Sequence, residues 1–367
     1  MTQAPERLSD IPELLLFVDR LFQTFEPAWH AAAARCVRGA QGHRMEVRGN
    51  LDAMVDSARR GIADHAGAVA EGLRLLIALG GSLGLPPAPI WARLDIDRAS
   101  PENSPLSPLF FETALKDTRY RVHLHMENGR FWQFFDRASG RGVELLQHAG
   151  SAPQWDGGSP LRNFLTWHLN GETVGLVHAG TLARDGRGLM FLGPGGSGKS
   201  GTVLAGILAG LESVGDDYVL VRIGQDIFAE QLFSTLKCDP IGMSRLGLDA
   251  LAASFRPLNW QGKHEFTLAD LGGAPRSARI AITALCLPVI SHVAESRFEP
   301  ISSKQAFLAL APTGMAQTLG IGNLGDHFSF CAALTRRLPA YRLHLGTQPH
   351  EIAGTIARFL ADGDRSC

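Results

Sequence analysis

The sequence lacks the features that mark several large classes of protein. Its 367 residues carry a formal net charge of −1, so there is no basic excess with which to bind nucleic acid or an anionic membrane. No apolar run approaches the ~20 residues needed to span a bilayer, and the start MTQAPERLSD has no basic segment followed by an apolar one. We therefore expect a cytoplasmic protein with no nucleic-acid or membrane partner.

Cysteine and lysine are also scarce. The five cysteines are scattered and show no CxxC spacing, which argues against a disulfide framework or a zinc ribbon and is typical of a reducing compartment. Lysine occurs five times among 35 basic residues, so a lysine within a motif is informative. With 45% hydrophobic residues and ~150 residues per domain, the chain is long and apolar enough for about two packed domains.

The first part of the chain changes from a helical pattern to a strand pattern. Residues 11–37 and 51–79 are rich in Ala, Leu and Arg, and their apolar residues recur at spacings of three and four, which predicts two long helices. Three prolines predict a loop over 101–108. Alternation predicts strands over 120–126 and 131–135, with Asn128-Gly129 as the turn between them.

A polar segment, SAPQWDGGS at 151–159, is the best candidate linker. It divides the chain into a smaller α+β accessory or recognition domain over 1–150 and a second domain over 151–367. The second domain alternates strands and helices, beginning with strands over 174–182 and 188–192, and this order predicts an α/β fold.

The strongest signal is a glycine-rich segment between a strand and a helix. GPGGSGKS at 193–200 matches G-x-x-x-x-G-K-[ST], and a helix is predicted from Lys199 to Ala209. Glycines let backbone N–H groups approach phosphate oxygens, and the helix N-terminus adds partial positive charge. Lys199 can reach the β- and γ-phosphates, and Ser200 can bind Mg²⁺, so ATP and Mg²⁺ are the expected cofactors. The predicted nucleotide-binding residues are Gly193, Pro194, Gly195, Gly196, Ser197, Gly198, Lys199, Ser200 and Gly201.

Two carboxylates, Asp216 and Asp217, precede a strand predicted over 218–223. Beside a phosphate loop, one carboxylate can hold the metal and the other can accept a hydroxyl proton. Gly-Asp-Asp is equally good turn chemistry, so the residues alone leave a catalytic pair and a solvated turn open. The later apolar strand over 280–290 ends in no carboxylate, and there is no LSGGQ-like segment, which disfavours a mechanical ATPase.

The run LVHAGTLARDGRGLMFLGPGGSGKSGTVLAGILAGLESVGDDYVLV resembles the core of the HPr kinase/phosphorylase-like serine kinases. The positions that match in order and approximate spacing are His178, Lys199, Ser200, Asp216 and Asp217. The resemblance implies a P-loop α/β kinase domain akin to ATP-dependent phosphoenolpyruvate carboxykinase. It also implies that Asp216 is the catalytic base, that His178 and Lys199 assist it, and that Ser200 and Asp217 lie at the metal.

Four later stretches, FSTLKCDP, GKHEFTL, LCLPVIS to FEPIS and LPAYRLHLGT, also resemble bacterial members of this group. They imply that Lys237, Lys263 and Arg297 clamp phosphate oxygens, although ordinary surface residues are the alternative for each. Gly195 and Gly201 depart from the serine and glutamate of HPr kinases, and the glycine-rich phosphorylase signature is missing. We therefore expect neither phosphorylase activity nor HPr as the acceptor.

These observations predict an ATP- and Mg²⁺-dependent kinase that transfers the γ-phosphoryl group to a hydroxyl acceptor. A serine of a peptide or protein and a hydroxyl of a small metabolite both remain open as acceptors. The alternative is a nucleotide-sensing regulatory protein that binds ATP without transferring phosphate. The resemblance also leaves a homo-oligomer open, as in the HPr kinases.

Overall fold

Two large β-sheets, each covered by helices, form the computed structural model of this protein. The model describes residues 4, 6–40, 42–64, 70–91, 108–125, 131–255, 257–271, 277–318 and 324–362. The mixed α/β class predicted from the sequence is confirmed. No helix among these residues is both long enough and apolar enough to cross a membrane.

The described residues of the first half build a six-stranded sheet, a short two-stranded sheet and five helices. Their bounds are β1 (Arg7–Leu8), α1 (Ile11–Gln23), α2 (Phe25–Ala31), β2 (Ala34–Ala40), β3 (His43–Gly49), α3 (Asp52–Gly61), β4 (Ala70–Leu79), β5 (Ile90–Trp91), α4 (Pro108–Leu115), β6 (Tyr120–His125), β7 (Phe131–Asp136), β8 (Arg141–Leu146) and α5 (Arg162–Leu169). The strand order of the large sheet is β2-β3-β4-β8-β7-β6, and β3, β4 and β8 are parallel.

The predictions of one long helix over 11–37 and another over 51–79 are each wrong in the second part of the range. The first prediction holds for α1 and α2, after which the chain enters β2; the second holds for α3 but fails at β4. Both faces of β4 are buried, with Leu75 in one core and Leu76 in the other. Because a central strand covered on both faces has no polar side, its apolar run cannot be distinguished from a buried helix by periodicity alone.

The strands predicted over 120–126 and 131–135 are confirmed as β6 and β7, which pair antiparallel. The Asn128-Gly129 turn between them lies outside the described residues. The predicted loop over 101–108 also lies outside them, except that Pro108 begins α4.

The described residues of the second half build an eight-stranded sheet, a two-stranded antiparallel sheet and six helices. Their bounds are β9 (Val174–Val177), β10 (Gly180–Arg184), β11 (Arg187–Phe191), α6 (Lys199–Leu208), β12 (Val219–Ile223), β13 (Ile227–Glu230), β14 (Thr235–Cys238), α7 (Pro240–Arg245), α8 (Asp249–Ala252), β15 (His264–Thr267), β16 (Arg279–Val293), β17 (Arg297–Ile301), α9 (Ser303–Thr318), α10 (Leu324–Arg337), β18 (Ala340–Gly346) and α11 (Pro349–Asp362). These bounds confirm the predicted strand–loop–helix–strand order, except that the strand predicted over 174–182 is broken at His178 into β9 and β10.

Helices cover both faces of the eight-stranded sheet, whose main order is β10-β11-β16-β13-β12-β9. β18 lies beside the second half of β16, and β11, β16 and β18 run parallel. One core lies under α6 and α11, and another lies under α9 and α10. The carboxyl ends of parallel strands face the same edge, which is where α/β proteins bind their ligands.

The segment 151–159, where the sequence predicts a linker, is a packed part of the fold. It contains two 3₁₀ turns, Ala149–Ser151 and Gln154–Gly157, and its Ser159 is fully buried. The core beside it combines residues from β3 and β4 with Tyr218 and Phe233 of the second half. The two halves therefore share one apolar core at the predicted boundary.

Candidate functional site

A glycine-rich loop connects the end of β11 to the start of α6. Gly193, Gly196 and Gly198 have φ values of 130°, 81° and 95°, which residues with a Cβ rarely adopt. A Cβ on Gly198 would also lie 2.6 Å from Cδ1 of Leu345. The loop therefore needs glycine both for its backbone angles and for its close approach to β18.

A cavity of about 420 Å³ opens onto this loop. It brings together the predicted catalytic, metal-binding and clamp residues His178, Lys199, Ser200, Asp216, Asp217, Lys237 and Lys263. Arg297 is not among the described residues that line the cavity; it lies exposed at the start of β17. Seven of the eight residues predicted for these roles therefore line one cavity.

The ammonium group of Lys199 is buried at the base of the loop. Its Nζ donates hydrogen bonds to the carbonyl oxygens of Gly193 (2.5 Å) and Pro194 (2.9 Å). Burial lowers the pKa of Lys199, while the nearby charges of Asp216 and Asp217 act in the opposite direction. The loop thus holds a cation where phosphate oxygens would approach.

Asp216 is 4% exposed and lies beside the first turn of α6. Burial and the neighbouring charge of Asp217 raise the pKa of its carboxyl group, and the nearby Ser200 hydroxyl partly offsets this effect. Because its pKa is raised, this carboxylate is a better proton acceptor than an ordinary aspartate.

Asp217 has the opposite electrostatic environment. Its Oδ2 accepts hydrogen bonds from Nζ of Lys237 (2.8 Å) and from the hydroxyl of Ser159 (3.1 Å), and its Oδ1 lies 3.1 Å from Nε2 of His178. Burial alone would raise the pKa of Asp217, but Lys237 and His178 hold it well below its usual range. The adjacent aspartates therefore differ in proton affinity, and Asp216 is the one suited to accept a proton.

Three buried polar atoms near the loop have no hydrogen-bond partner among the described residues: Oγ of Ser197, Oγ1 of Thr202 and Oδ1 of Asp216. Buried polar groups are normally paired, so unpaired ones at a site indicate that a ligand or water satisfies them. A Cβ built on Gly195, Gly196 or Gly201 meets no atom within 4 Å, so the loop borders open space. Donors, a lysine, a serine hydroxyl and a carboxylate oxygen suit a nucleotide phosphate with Mg²⁺.

The sequence analysis missed several residues of the cavity wall. α7 contributes Ile241 and Arg245, the latter donating a hydrogen bond to the carbonyl oxygen of Thr347. The ends of β16 and β18 contribute His292 and Leu345. The Asp-Pro pair at the start of α7 is the signal that could have indicated a helix there, since Asp239 caps it by accepting a hydrogen bond from the Gly242 N–H.

Comparisons with known proteins add a distant likeness. No family model matches the chain, and no curated protein matches it. Among solved structures, the HPr(Ser) kinase/phosphatase from Coxiella burnetii aligns with 51% of this chain and 99% of its own, at 16% identity and a TM-score of 0.27. A likeness of this size establishes no function, so the roles proposed below rest on the geometry of this chain.

Proposed function

We propose that this protein is a Mg²⁺-dependent kinase that transfers the γ-phosphoryl group of ATP to a hydroxyl acceptor. The observation that carries the proposal is that Asp216 lines the same cavity as Ser200 in the first turn of α6. It places a buried carboxylate of raised pKa in the same cavity as a glycine-rich loop and a buried lysine. Phosphoryl transfer needs these parts, because its catalysis is mostly positioning and charge stabilisation.

Asp216 would accept the proton of the acceptor hydroxyl. The hydroxyl oxygen attacks the γ-phosphorus, the bond from that phosphorus to the bridging oxygen breaks, and ADP leaves with the bridging oxygen. Asp217 is a poor base because it remains ionised beside Lys237 and His178. We assign it the role of holding these two side chains in the cavity.

Cationic side chains would hold the phosphate oxygens. Lys199 and Lys263 both line the cavity, and Lys237 lies at the acidic pair. Mg²⁺ would neutralise charge on the β- and γ-phosphate oxygens when it is bound, and the Ser200 hydroxyl would be its ligand from the first turn of α6. The sequence-based assignment of Asp217 to the metal has less support, since its recorded partners are a lysine, a histidine and a serine.

One observation favours the alternative of a nucleotide sensor. Tyr218, which follows Asp217, belongs to the apolar core shared with the six-stranded sheet, and Ser159 hydrogen-bonds Asp217 directly. A movement of the acidic pair on nucleotide binding would therefore change its contacts with the first half of the chain. Such coupling serves a sensor, and it equally serves a kinase whose first half recognises the acceptor.

Transfer and binding measured on the same variants test the proposal. We would incubate the wild type, Asp216→Asn and the exposed control Asp226→Asn with Mg²⁺ and γ-labelled ATP, a serine-containing peptide library and a panel of small hydroxyl compounds. A lost general base typically costs 10²- to 10⁴-fold in rate. We expect such a loss for Asp216→Asn alone, with ATP affinity unchanged. No transfer by the wild type to any acceptor, despite tight ATP binding, would support the sensor instead.

A further inference from the structure

One end of the cavity is formed by a distorted strand. The pairing of β16 with β18 shifts register between Ile290 and Val293, and His292 within this bulge has a φ of 49°. Bulges beside functional sites commonly redirect a side chain, and a non-glycine residue with positive φ is uncommon. The exposed His292 lines the same cavity as the glycine-rich loop.

Strained backbone coincides with the cavity at two positions. Five described non-glycine residues have positive φ, and two of them, Asp217 and His292, line the cavity. Such residues concentrate at ligand sites, where the surrounding structure maintains the strain. Asp217 already has partners that explain its position, whereas the His292 side chain has no hydrogen-bond or ion-pair partner among the residues that the structure describes.

The first turn of α6 separates two chemically different walls. At Ser200 it lies beside the acidic pair, because the Ser200 hydroxyl is near enough to Asp216 to lower the pKa of that carboxyl group, and both residues line the cavity. At Gly198 it lies against apolar side chains, because a Cβ there would meet Leu345 at 2.6 Å and Ile290 at 3.5 Å. A nucleotide whose phosphates occupy the loop and whose γ-phosphate faces the acidic pair would extend its nucleoside towards the apolar wall.

We propose that the end of the cavity formed by β16, β18 and α11 binds the base of the nucleotide, and that His292 is the side chain that stacks on it. Ile290, Leu345 and Ile352 supply apolar surface there, and Ile290 is 48% exposed. An exposed imidazole beside such surface suits the flat face of a heterocyclic base. This inference rests on the proposed function, because it takes the loop to bind the phosphates of a nucleotide.

Two ligands distinguish the contribution of the base to binding from that of the phosphates. The affinities of ADP and of inorganic tripolyphosphate, both with Mg²⁺, are measured by calorimetry for the wild type, His292→Gly, His292→Phe and the control His30→Gly, whose histidine is exposed on α2. Glycine suits the left-handed backbone, so the fold of His292→Gly is retained. Stacking is worth ~1–3 kcal/mol per base, which corresponds to a loss of at least about five-fold.

We expect His292→Gly to weaken ADP binding by at least about five-fold and to leave tripolyphosphate binding within two-fold of the wild type. His292→Phe should bind ADP about as tightly as the wild type, because phenylalanine can also stack on the base. Unchanged ADP affinity in His292→Gly overturns the inference and leaves the proposed function intact. A parallel loss of tripolyphosphate binding also overturns it, because His292 would then act on the phosphates. A wild type that binds neither compound overturns the proposed function as well.

Discussion

Lys237 and Asp217 form a buried ion pair in the cavity, with Nζ of the lysine 2.8 Å from Oδ2 of the aspartate. The side chain of Lys237 is only 7% exposed, and Oε1 of Glu265 lies 3.9 Å away on its other side. The lysine packs against Gly158, where a Cβ would lie 2.0 Å from Cε of Lys237 and would not fit. The pair thus connects the antiparallel strands β14 and β15 to the acidic residues beside the glycine-rich loop.

Removing one member of this pair leaves the other buried and uncompensated. We expect Lys237→Met and Asp217→Asn each to lower the free energy of unfolding by about 3–5 kcal/mol. The double variant should lose clearly less than the sum, because the two side chains interact directly. Urea unfolding of the four proteins measures this coupling. Strict additivity would show that the two side chains contribute independently to stability.

The buried Glu144 gives the protein a pH-dependent stability. Glu144 on β8 accepts a hydrogen bond from Gln133 (2.6 Å), and burial raises its pKa from 4.5 to about 7. Burial and the nearby Glu144 also raise the pKa of Asp156. Because the folded state keeps protons that the unfolded state releases, stability should fall as pH rises from about 4.5 to about 7.

Glu144→Gln should remove much of this decrease in stability with rising pH, while keeping the hydrogen bond from Gln133. Urea unfolding at pH 5 and pH 8 tests it, with Glu295→Gln as a control at an exposed carboxylate. The account is contradicted if the wild type and Glu144→Gln lose the same stability between these two pH values.

Lys199 should matter for nucleotide binding far more than a surface lysine does. We expect Lys199→Met to weaken ATP binding by at least tenfold, since it removes a charge-assisted contact to phosphate from a buried site. Lys304, exposed near the start of α9, offers the matched control Lys304→Met. Equal ATP affinity of the two variants would exclude Lys199 from the phosphate site.

Two glycines at the start of α6 should respond oppositely to alanine. Gly198→Ala forces a Cβ against Leu345 and onto a left-handed backbone, so we expect a loss of more than about 1 kcal/mol in stability. Gly201→Ala lies in open space at a helical position and should be stabilising by up to ~1 kcal/mol. Thermal unfolding of both variants measures the difference; destabilisation of Gly201→Ala would contradict the packing described for the loop.

The sequence predicted the parts of the site that depend on local chemistry. The phosphate loop, the helix after it and the acidic pair lie within the 25 residues 193–217. A phosphate site accounts for this order of glycines, lysine and aspartates. Local chemistry did not predict Lys237 and Lys263, which were predicted only through the resemblance to the serine kinases. Their common location follows from the antiparallel pairing of β14 with β15, which no local pattern reveals.

The predictions that failed depend on distant parts of the chain. β4 resembles a helix in sequence because both of its faces are covered by residues far away, among them Phe233 from the second half. His292 carries no sequence signal, since its exposure in the cavity results from a register shift between β16 and β18. Arg297 was predicted as a phosphate clamp only through the family resemblance, and it is not among the described residues that line the cavity.

The most direct test of the account is a crystal structure with Mg²⁺ and a non-hydrolysable ATP analogue. We predict that the γ-phosphate lies against Lys199, with the carboxylate of Asp216 within a few ångströms of the space that an acceptor hydroxyl would occupy. The apolar end of the cavity at His292 should hold the base. An Asp216 carboxylate separated from the γ-phosphate by protein, or turned towards solvent, would contradict the kinase mechanism proposed for this protein.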